Sequence, residues 1–325
     1  MQYRTFQDLN TAVLRHLHKL PPDTDLVVGI PRSGLLAACL GSLHLNVPMT
    51  DVQGLLEGRL LSSGRRMGKA SDSLEAIAPR QVVVLDDSIQ SGSSMRLVRE
   101  QIEAASLPWN ISYGAVFGNA ARMEPADFIL EVCPRPRIFE WNLYCDYMLT
   151  RSCFDIDGVL CRDPSPEEND DGPRYRAFLE NAEPLLIPRR PIAHLVTSRL
   201  EKYRKPTEAW LTRHGVRHGK LHMLDLPDKA TRIHLQAHAS FKASVYRDTD
   251  THLFVESATR QALEIAQHAG KPVLSIESNE MIYPGLRPML QSALSNVPSV
   301  VRRRARLANS RLGRMLMRVA CAKAT

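Results

Sequence analysis

Short apolar runs alternate with helical stretches along most of the chain. Segments that are mostly or fully apolar, such as 25–30 and 82–85, have the character of buried strands, and each is followed by a segment with helical spacing. Alternation of this kind predicts an α/β fold built from parallel sheets that are covered by helices on both faces. With 325 residues, the chain is long enough for two such doubly wound, Rossmann-like domains.

We place the two predicted domains at 1–148 and 149–285, followed by a basic helical tail at 286–325. Apolar residues at helical spacing also predict an amphipathic helix over Met1 to Leu20, interrupted by polar residues and therefore unlike a signal peptide.

The buried strand at 82–85 ends in two acids, Asp86 and Asp87, and a polar turn then opens a predicted helix from Ser94 to about Ala105. A turn of this kind leaves backbone N–H groups at the helix N-terminus, where they favour a phosphate group. Paired carboxylates repel phosphate but accept hydrogen bonds from a vicinal diol. The candidate phosphate-binding residues are Gln90, Ser91, Gly92, Ser93 and Ser94. A diol and a phosphate close together describe a ribose 5-phosphate.

A second turn of similar design follows the strand predicted at 25–30. Pro31 leads into Arg32, Ser33 and Gly34, and a helix is predicted from Leu35 to about Leu43. Backbone donors beside a guanidinium suit the charge of a pyrophosphate group.

Together these two turns resemble the PRPP-binding motif and the pyrophosphate loop of the type I phosphoribosyltransferases, over residues 20–145. The resemblance implies that Asp86 and Asp87 bind the ribose hydroxyls of PRPP, that the serine turn binds its 5′-phosphate, and that Arg32, Ser33 and Gly34 bind its pyrophosphate. A purine-like base or another nitrogen nucleophile would be the acceptor.

The resemblance also implies roles for two further segments. The basic segment 54–78, which contains Lys69, matches the position of a mobile loop that closes over PRPP, although a solvated basic loop has the same composition. The segment Pro136 to Asn142 resembles the strand that ends the base-binding region, and Trp141 is the candidate for stacking on the base. A tryptophan in the core of a domain junction is the alternative.

In the second predicted domain, a strand carries Asp155 and Asp157 on one side and turns at Gly158. Two carboxylates at one sheet edge can share Mg²⁺, and one can attack phosphorus while the other moves a proton. Thr197 follows a later apolar strand, Lys242 follows next, and another buried strand ends in Glu256.

This order of motifs resembles the haloacid dehalogenase (HAD) superfamily of phosphotransferases over roughly residues 151–280. The resemblance implies that Asp155 is the nucleophile, Asp157 the general acid or base, and Thr197 a ligand of the phosphoryl group. Lys242 would steady the charge on Asp155, while Asp155, Asp157 and Glu256 would bind Mg²⁺ and the substrate would be a phosphate monoester. Ser257 stands where many members carry a second acid, so a scaffold or ligand-sensing remnant is the alternative.

The net charge of +7 comes from the C-terminal end, because residues 296–325 contain eight Arg or Lys and no acid. Their helical spacing allows contact with an anionic membrane surface, RNA or an acidic partner, or coverage of the protein's own core. Six cysteines without CxxC spacing indicate buried thiols in a reducing compartment, so we expect a cytoplasmic protein, which the basic tail would allow to bind at the periphery of a membrane. A homodimer is expected because members of the phosphoribosyltransferase family often pair.

Two hypotheses for function follow. The first is a bifunctional enzyme that transfers a phosphoribosyl group from PRPP and also hydrolyses a phosphate monoester with Mg²⁺. The second is a non-catalytic regulator that binds PRPP or a nucleotide and uses its basic tail to bind RNA or a membrane.

Overall fold

The chain divides into two compact units, Met1–Asp146 and Tyr147–Thr325, in a computed structural model that describes residues 1–61 and 73–285. The division lies close to the boundary predicted between residues 148 and 149. Three predictions lie outside the described residues: the role of Lys69, the helical tail at 286–325, and the contact with RNA or a membrane through 296–325.

The first unit is built on a five-stranded sheet with the order β3-β2-β4-β5-β6, in which all neighbouring strands are parallel. Its strands are β2 (Leu26–Gly29), β3 (Met49–Asp51), β4 (Gln81–Ser88), β5 (Asn110–Gly118) and β6 (Phe128–Val132). The central strand β4 contains the apolar run 82–85, which is fully buried, as expected for a strand covered on both faces.

Helices cover both faces of this sheet. They are α1 (Phe6–Arg15), α2 (Gly34–Leu45), α3 (Val52–Leu56), α4 (Leu74–Ile77) and α5 (Ser93–Ala104). Alternation along β4 sends Val82 and Val84 into the core formed with α3, α4 and α5. Val83 and Leu85 enter the opposite core, formed with α1 and α2. The predicted doubly wound parallel sheet is thereby confirmed for this unit.

The N-terminal segment corrects one prediction, because it is not helical throughout. β1 (Gln2–Arg4) precedes α1, and a single 3₁₀ turn (Leu17–Lys19) follows it. Thr5 and Asp8 form a reciprocal capping box at the start of α1, which fixes where the helix begins. The Thr-x-x-Asp spacing is visible in the sequence and indicates the start of the helix, which the apolar periodicity alone does not.

β1 pairs in parallel with β7 (Arg137–Phe139), so the start and the end of the unit meet in a two-stranded sheet. The predicted strand over 136–142 is shorter than expected. A 3₁₀ helix (Glu140–Cys145) takes over directly after Phe139, and Trp141 lies in its first turn.

The second unit contains a six-stranded sheet with the order β10-β9-β8-β11-β12-β13. Its strands are β8 (Ser152–Phe154), β9 (Ile192–Leu200), β10 (His218–Leu224), β11 (Leu253–Glu256), β12 (Val273–Ser275) and β13 (Glu280–Ile282). Only the last pair, β12 with β13, is antiparallel. A mixed sheet with one antiparallel edge strand is common in α/β domains.

The helices of this unit are α6 (Pro173–Asn181), α7 (Arg204–Arg213), α8 (Lys229–His234), α9 (Ala237–Asp248) and α10 (Thr259–Ala269). α9 and α10 pack small residues such as Ala243 and Ala266 against Phe254 and Val196 of the sheet. Trp210 of α7 is fully buried, and its indole N–H donates to the Ala182 carbonyl over 2.8 Å. Among the described residues, α6 is the one helix between β8 and β9. The minimal cap that we expect in this segment from the resemblance to the HAD superfamily stays a prediction.

The structure also bears on membrane-spanning helices and on the burial of the cysteines. Within the described ranges, none of the helices has both the length and the apolar character needed to cross a bilayer. Cys133, Cys153 and Cys161 are buried thiols, as expected, whereas Cys39 is exposed and corrects that expectation.

Each unit has its own sheet and its own hydrophobic core, so we expect each to fold when expressed alone. Fragments 1–146 and 147–325 should each unfold in a single cooperative transition in urea, followed by circular dichroism. A matched fragment, 1–132, lacks β7 and leaves β1 without its partner, and it should unfold at a lower urea concentration. A disordered 1–146 fragment would contradict the prediction.

Candidate functional sites

The first candidate site lies at the carboxyl end of β4, where Asp86 and Asp87 occupy different environments. Asp87 is only 3% exposed. Its Oδ1 accepts a hydrogen bond from the Ser33 hydroxyl over 2.6 Å, and its Oδ2 accepts one from the Trp141 indole N–H over 2.9 Å. Asp87 therefore joins the turn after β2 to the 3₁₀ helix after β7.

Asp86 is half-buried and faces the cleft above the sheet edge. Its Oδ1 accepts from the Asp87 backbone N–H over 2.8 Å. Burial, together with the nearby negative charge of Asp87, raises the pKa of Asp86 to about 8. Asp86 thus retains a proton in the folded protein at a pH where an exposed aspartate is ionised.

The serine turn after β4 leads into α5 through Gly92, whose φ of +78° lies in the left-handed region. A Cβ at this position would lie 2.7 Å from the Glu124 carbonyl oxygen, so only glycine fits without displacing the backbone. Gly92 is also the N-cap of α5 and offers no side chain to cap it. The first residues of the 12-residue helix, Ser93 and Ser94, line the cleft, and the Ser93 N–H makes only a long contact of 3.4 Å with the Ser91 hydroxyl.

Two contacts set the shape of this turn. The hydroxyls of Ser91 and Ser93 lie 2.9 Å apart, and the Arg137 guanidinium donates to the Ile89 carbonyl over 2.7 Å. Burial lowers the pKa of Arg137, which is held mainly by backbone carbonyls of this region. Arg137 was not recognised from the sequence as a residue of the site, and its position next to Pro136 in the short strand β7 gave no local signal.

The turn after β2 approaches the same cleft through Gly34. A Cβ on Gly34 would lie 2.9 Å from Asp86 Oδ1 and 2.9 Å from the Leu85 carbonyl oxygen. The start of α2 can therefore reach the end of β4 only because this residue has no side chain.

The structure brings most of the predicted PRPP-binding residues to one cleft of about 460 Å³. The lining residues from the prediction are Ser33, Asp86, Asp87, Gln90, Ser91, Gly92, Ser93 and Ser94. Arg32 is exposed, and neither Arg32 nor Gly34 lines the cleft.

Trp141 also stays outside the lining of the cleft. Its ring lies parallel to that of Phe139, with 4.8 Å between centroids, and the Phe6 ring is tilted against it at 5.6 Å. The tryptophan is connected to the cleft through its hydrogen bond to Asp87, and its role as a base-stacking residue stays a prediction.

The second candidate site lies at the carboxyl ends of β8, β9 and β11. The Lys242 ammonium, on α9, donates to Asp155 Oδ2 over 2.6 Å and to Glu256 Oε2 over 2.8 Å. All three side chains are buried. Burial raises the pKa of Asp155, although the adjacent Lys242 ammonium opposes this rise. Burial acts to lower the pKa of Lys242, but the two carboxylates outweigh it and keep the lysine protonated.

Arg199 is the residue that sequence reasoning missed in this site. β9 continues through Leu200 rather than ending at Val196, and it carries a fully buried guanidinium. The Arg199 Nη2 lies 2.6 Å from Asp157 Oδ1, and its Nε lies 3.1 Å from Asp157 Oδ2. An arginine two residues after Thr197, within an apolar strand, was the available signal.

Asp155, Asp157, Thr197 and Lys242 line a common cavity of about 140 Å³. Arg199, Ser198, Arg232 and His238 also line it. Burial and the nearby charges of Arg232 and Lys242 lower the pKa of His238 to about 4, so His238 is neutral at pH 7. A shallower groove of about 410 Å³ shares His238 and Gln261 with this cavity.

The predicted Mg²⁺ ligands are oxygen donors of the right type, but they are engaged by other groups. Glu256 Oε1 accepts from the backbone N–H and hydroxyl of Ser257, at 3.1 and 3.2 Å, and its other oxygen accepts from Lys242. Both oxygens of Asp157 are paired with Arg199. Over residues 1–61 and 73–285, no group of three acidic, histidine or cysteine side chains is arranged to hold a metal ion. The side chains as they stand do not fit Mg²⁺, and binding by Asp155, Asp157 and Glu256 stays a prediction.

Comparison with known proteins gives limited matches. No family model matches the chain, and neither does any curated protein. Among solved structures, a Helicobacter pylori xanthine-guanine-hypoxanthine phosphoribosyltransferase is 14% identical and covers 44% of this chain and 92% of its own, with a TM-score of 0.31. A purine phosphoribosyltransferase from Pyrococcus horikoshii is 18% identical, covering 43% of this chain and 92% of its own, at a TM-score of 0.31.

A hypothetical protein from Neisseria gonorrhoeae with bound ppGpp is 13% identical to this chain. It covers 43% of this chain and 89% of its own, again at a TM-score of 0.31. Similarities at this TM-score provide no evidence of function.

The close approach at Gly34 generates a paired prediction. Gly34→Ala should displace the start of α2 from Asp86 and weaken binding of ribose 5-phosphate to the cleft by about tenfold or more, because the new methyl group overlaps two oxygen atoms. Gly41→Ala is the control on the same helix, since its Cβ would meet Leu85 at an ordinary 3.8 Å. Isothermal titration calorimetry of both variants checks this, and equal affinities would contradict it.

The raised pKa of Asp86 predicts a stability that depends on pH. Because the folded state holds this proton more tightly than the unfolded state, stability from Asp86 falls as the pH rises from about 4 to about 8. Asp86→Asn should therefore raise the melting temperature relative to the wild type at pH 9, and by less or not at all at pH 5. A melting temperature difference that is the same at both pH values would contradict the assignment.

Proposed function

We propose that the first unit binds PRPP and transfers its phosphoribosyl group to a base or another nitrogen nucleophile. The observation that carries the proposal is the cleft of about 460 Å³, in which the Asp86 carboxyl group and the start of α5, whose N-cap Gly92 has no side chain, line the same space. At one edge of the sheet, an acid can bind hydroxyl groups and the start of a helix can bind an anion. These two features match the ribose and the phosphate of a ribose 5-phosphate.

In this proposal the serine turn binds the 5′-phosphate. The hydroxyls of Ser91, Ser93 and Ser94 and the first N–H groups of α5 donate to its oxygens. Asp86 accepts hydrogen bonds from the ribose hydroxyls. Asp87 contributes mainly by position, because its two oxygens already accept from Ser33 and Trp141.

The transfer forms a bond between the nitrogen of the acceptor and C1 of the ribose. The bond between C1 and the pyrophosphate oxygen breaks, its electron pair leaves with pyrophosphate, and the acceptor nitrogen loses a proton. Ser33, held by Asp87, lies where the turn after β2 would receive the departing anion. Arg32, Gly34 and Lys69 are proposed to complete the binding of pyrophosphate, and Trp141 that of the base.

We further propose that the second unit hydrolyses a phosphate monoester. The supporting observation is that Asp155, Thr197 and Lys242 line one cavity with a second acid, Asp157. Asp155 would attack phosphorus, the ester P–O bond would break, and the leaving oxygen would take up a proton through Asp157 or water. Water would then cleave the aspartyl phosphate and release inorganic phosphate. The groove that shares His238 and Gln261 with this cavity would offer space for the leaving group.

Reciprocal variants of the full chain test both activities. Asp86→Asn should lower PRPP consumption with a panel of bases by more than about a hundredfold and leave hydrolysis of an aryl phosphate unchanged. Asp155→Asn should do the reverse, because it removes the nucleophile. Pyrophosphate release and aryl alcohol release are the two measurements.

Two exposed residues provide matched controls, Asp23→Asn in the first unit and Asp225→Asn in the second. Loss of both activities in either site variant, with the fold intact, would contradict a two-site enzyme. Stabilisation of the wild type by PRPP without turnover would favour the alternative, a non-catalytic regulator.

A further inference from the structure

We propose that Arg232 and Ser198 form an anion-binding subsite in the cavity of the second unit, and that its ligand is the phosphoryl group of a phosphate monoester. The inference deepens the proposed hydrolase and depends on it for the position of the phosphate. It assigns the anchoring of that phosphate to two residues that the motif resemblance does not include.

The charges around the cavity point to Arg232. Three buried cations line it, and two of them are neutralised by carboxylates: Lys242 by Asp155 and Glu256, and Arg199 by Asp157. Among the described residues, no ion pair joins Arg232 to an acid. Arg232 is thus the buried cation of this cavity that retains its charge for a ligand.

The Arg232 guanidinium also lacks some of its hydrogen-bond partners. Arg232 is 7% exposed, and one Nη donates to the Ser198 carbonyl over 2.7 Å. The guanidinium also lies within hydrogen-bonding reach of the Tyr175 hydroxyl, whereas Nε is buried without a partner among the described residues. A buried guanidinium with an unmet donor and no counter-ion is energetically unfavourable. An anion in the cavity would supply both the acceptor and the charge.

Ser198 adds a second unmet group at the same place. Its side chain is 8% exposed, lines the cavity, and carries a buried hydroxyl without a partner in the described part of the chain. Ser198 follows Thr197 directly, and Arg232 is anchored to its backbone. Neutral His238 adds no charge that would replace Arg232 at pH 7.

The chemistry and size of the cavity favour a phosphoryl group. The planar guanidinium presents its donors in the geometry that phosphate oxygens accept, and the serine hydroxyl adds one more donor. A cavity of about 140 Å³ is comparable to one that holds a benzene molecule, so it has room for a tetrahedral oxyanion but not for a whole nucleotide. The remainder of an ester would extend into the groove beyond His238 and Gln261.

The test measures binding of inorganic phosphate to the full chain by titration calorimetry. Arg232→Gln should weaken the affinity for phosphate about tenfold or more, and Arg232→Lys should restore only part of it, because an ammonium lacks the planar fork. The matched control is Arg247→Gln, an exposed arginine on α9 that does not line the cavity. The dependence on Arg232 separates this event from phosphate binding in the cleft of the first unit.

Ser198→Ala keeps the test decisive if Arg232→Gln does not fold. The Ser198 hydroxyl has no partner in the described residues, so its removal leaves no other group unpaired, and the variant should keep its melting temperature while binding phosphate more weakly. Unchanged affinity in a folded Ser198→Ala and a folded Arg232→Lys would overturn the subsite, as would failure of the wild type to bind phosphate.

A second arm separates an ester from free phosphate. Asp155→Asn, which cannot form the aspartyl phosphate, should bind phenyl phosphate in an Arg232-dependent manner. Binding of free phosphate alone would overturn the assignment to monoesters. Arg232-dependent binding of phenyl phosphate without hydrolysis by the wild type would uphold the subsite and contradict only the proposed hydrolase.

Discussion

A carboxylate that leaves water must be matched by hydrogen-bond donors or cations, and this constraint organises both units. In each, parallel strands deliver acids to the carboxyl edge of a sheet, where the chain turns into helices and loops. Asp87 is matched by the hydroxyl of Ser33 and the indole N–H of Trp141, which come from segments far apart in sequence. Asp155 and Glu256 are matched by one ammonium, that of Lys242. Loss of any of these partners would leave a buried carboxylate without compensation. The turns and helices that contribute the partners must therefore lie beside the acids.

The two units differ in which group is left unmatched. In the first, Asp86 lies at the cleft with one short backbone contact, and burial together with the nearby charge of Asp87 raises its pKa. In the second, Asp155, Glu256 and Asp157 are paired with Lys242 and Arg199, whereas no ion pair joins Arg232 to an acid among the described residues. The unmatched acid suits a ligand rich in hydroxyl groups, and the unmatched guanidinium suits an oxyanion. The chemistry of the unmatched group thus distinguishes the two sites more clearly than their shared architecture does.

Much of the fold was readable from local pattern. The run of valines before Asp86 predicted a central strand buried on both faces, and β4 has valines entering both cores. Gly92 and Gly34 marked the turns, and the structure shows the reason, since each occupies space or a backbone conformation that excludes a side chain. Boundaries were less readable. Apolar spacing suggested a helix from Met1, whereas the capping box at Thr5 and the pairing of β1 with β7 begin the helix later.

Residue types and their order along the chain were sufficient to predict parallel strands that end in acids, because alternation and helix spacing are local properties. They could not predict most of the side chains that satisfy those acids, because the partners are contributed by distant segments: Trp141 to Asp87 and Arg199 to Asp157. Nor could they show that Arg232, on a short polar helix, is buried with an unpaired nitrogen. Burial and pairing depend on how the strands and helices pack in space, and only the folded structure decides them.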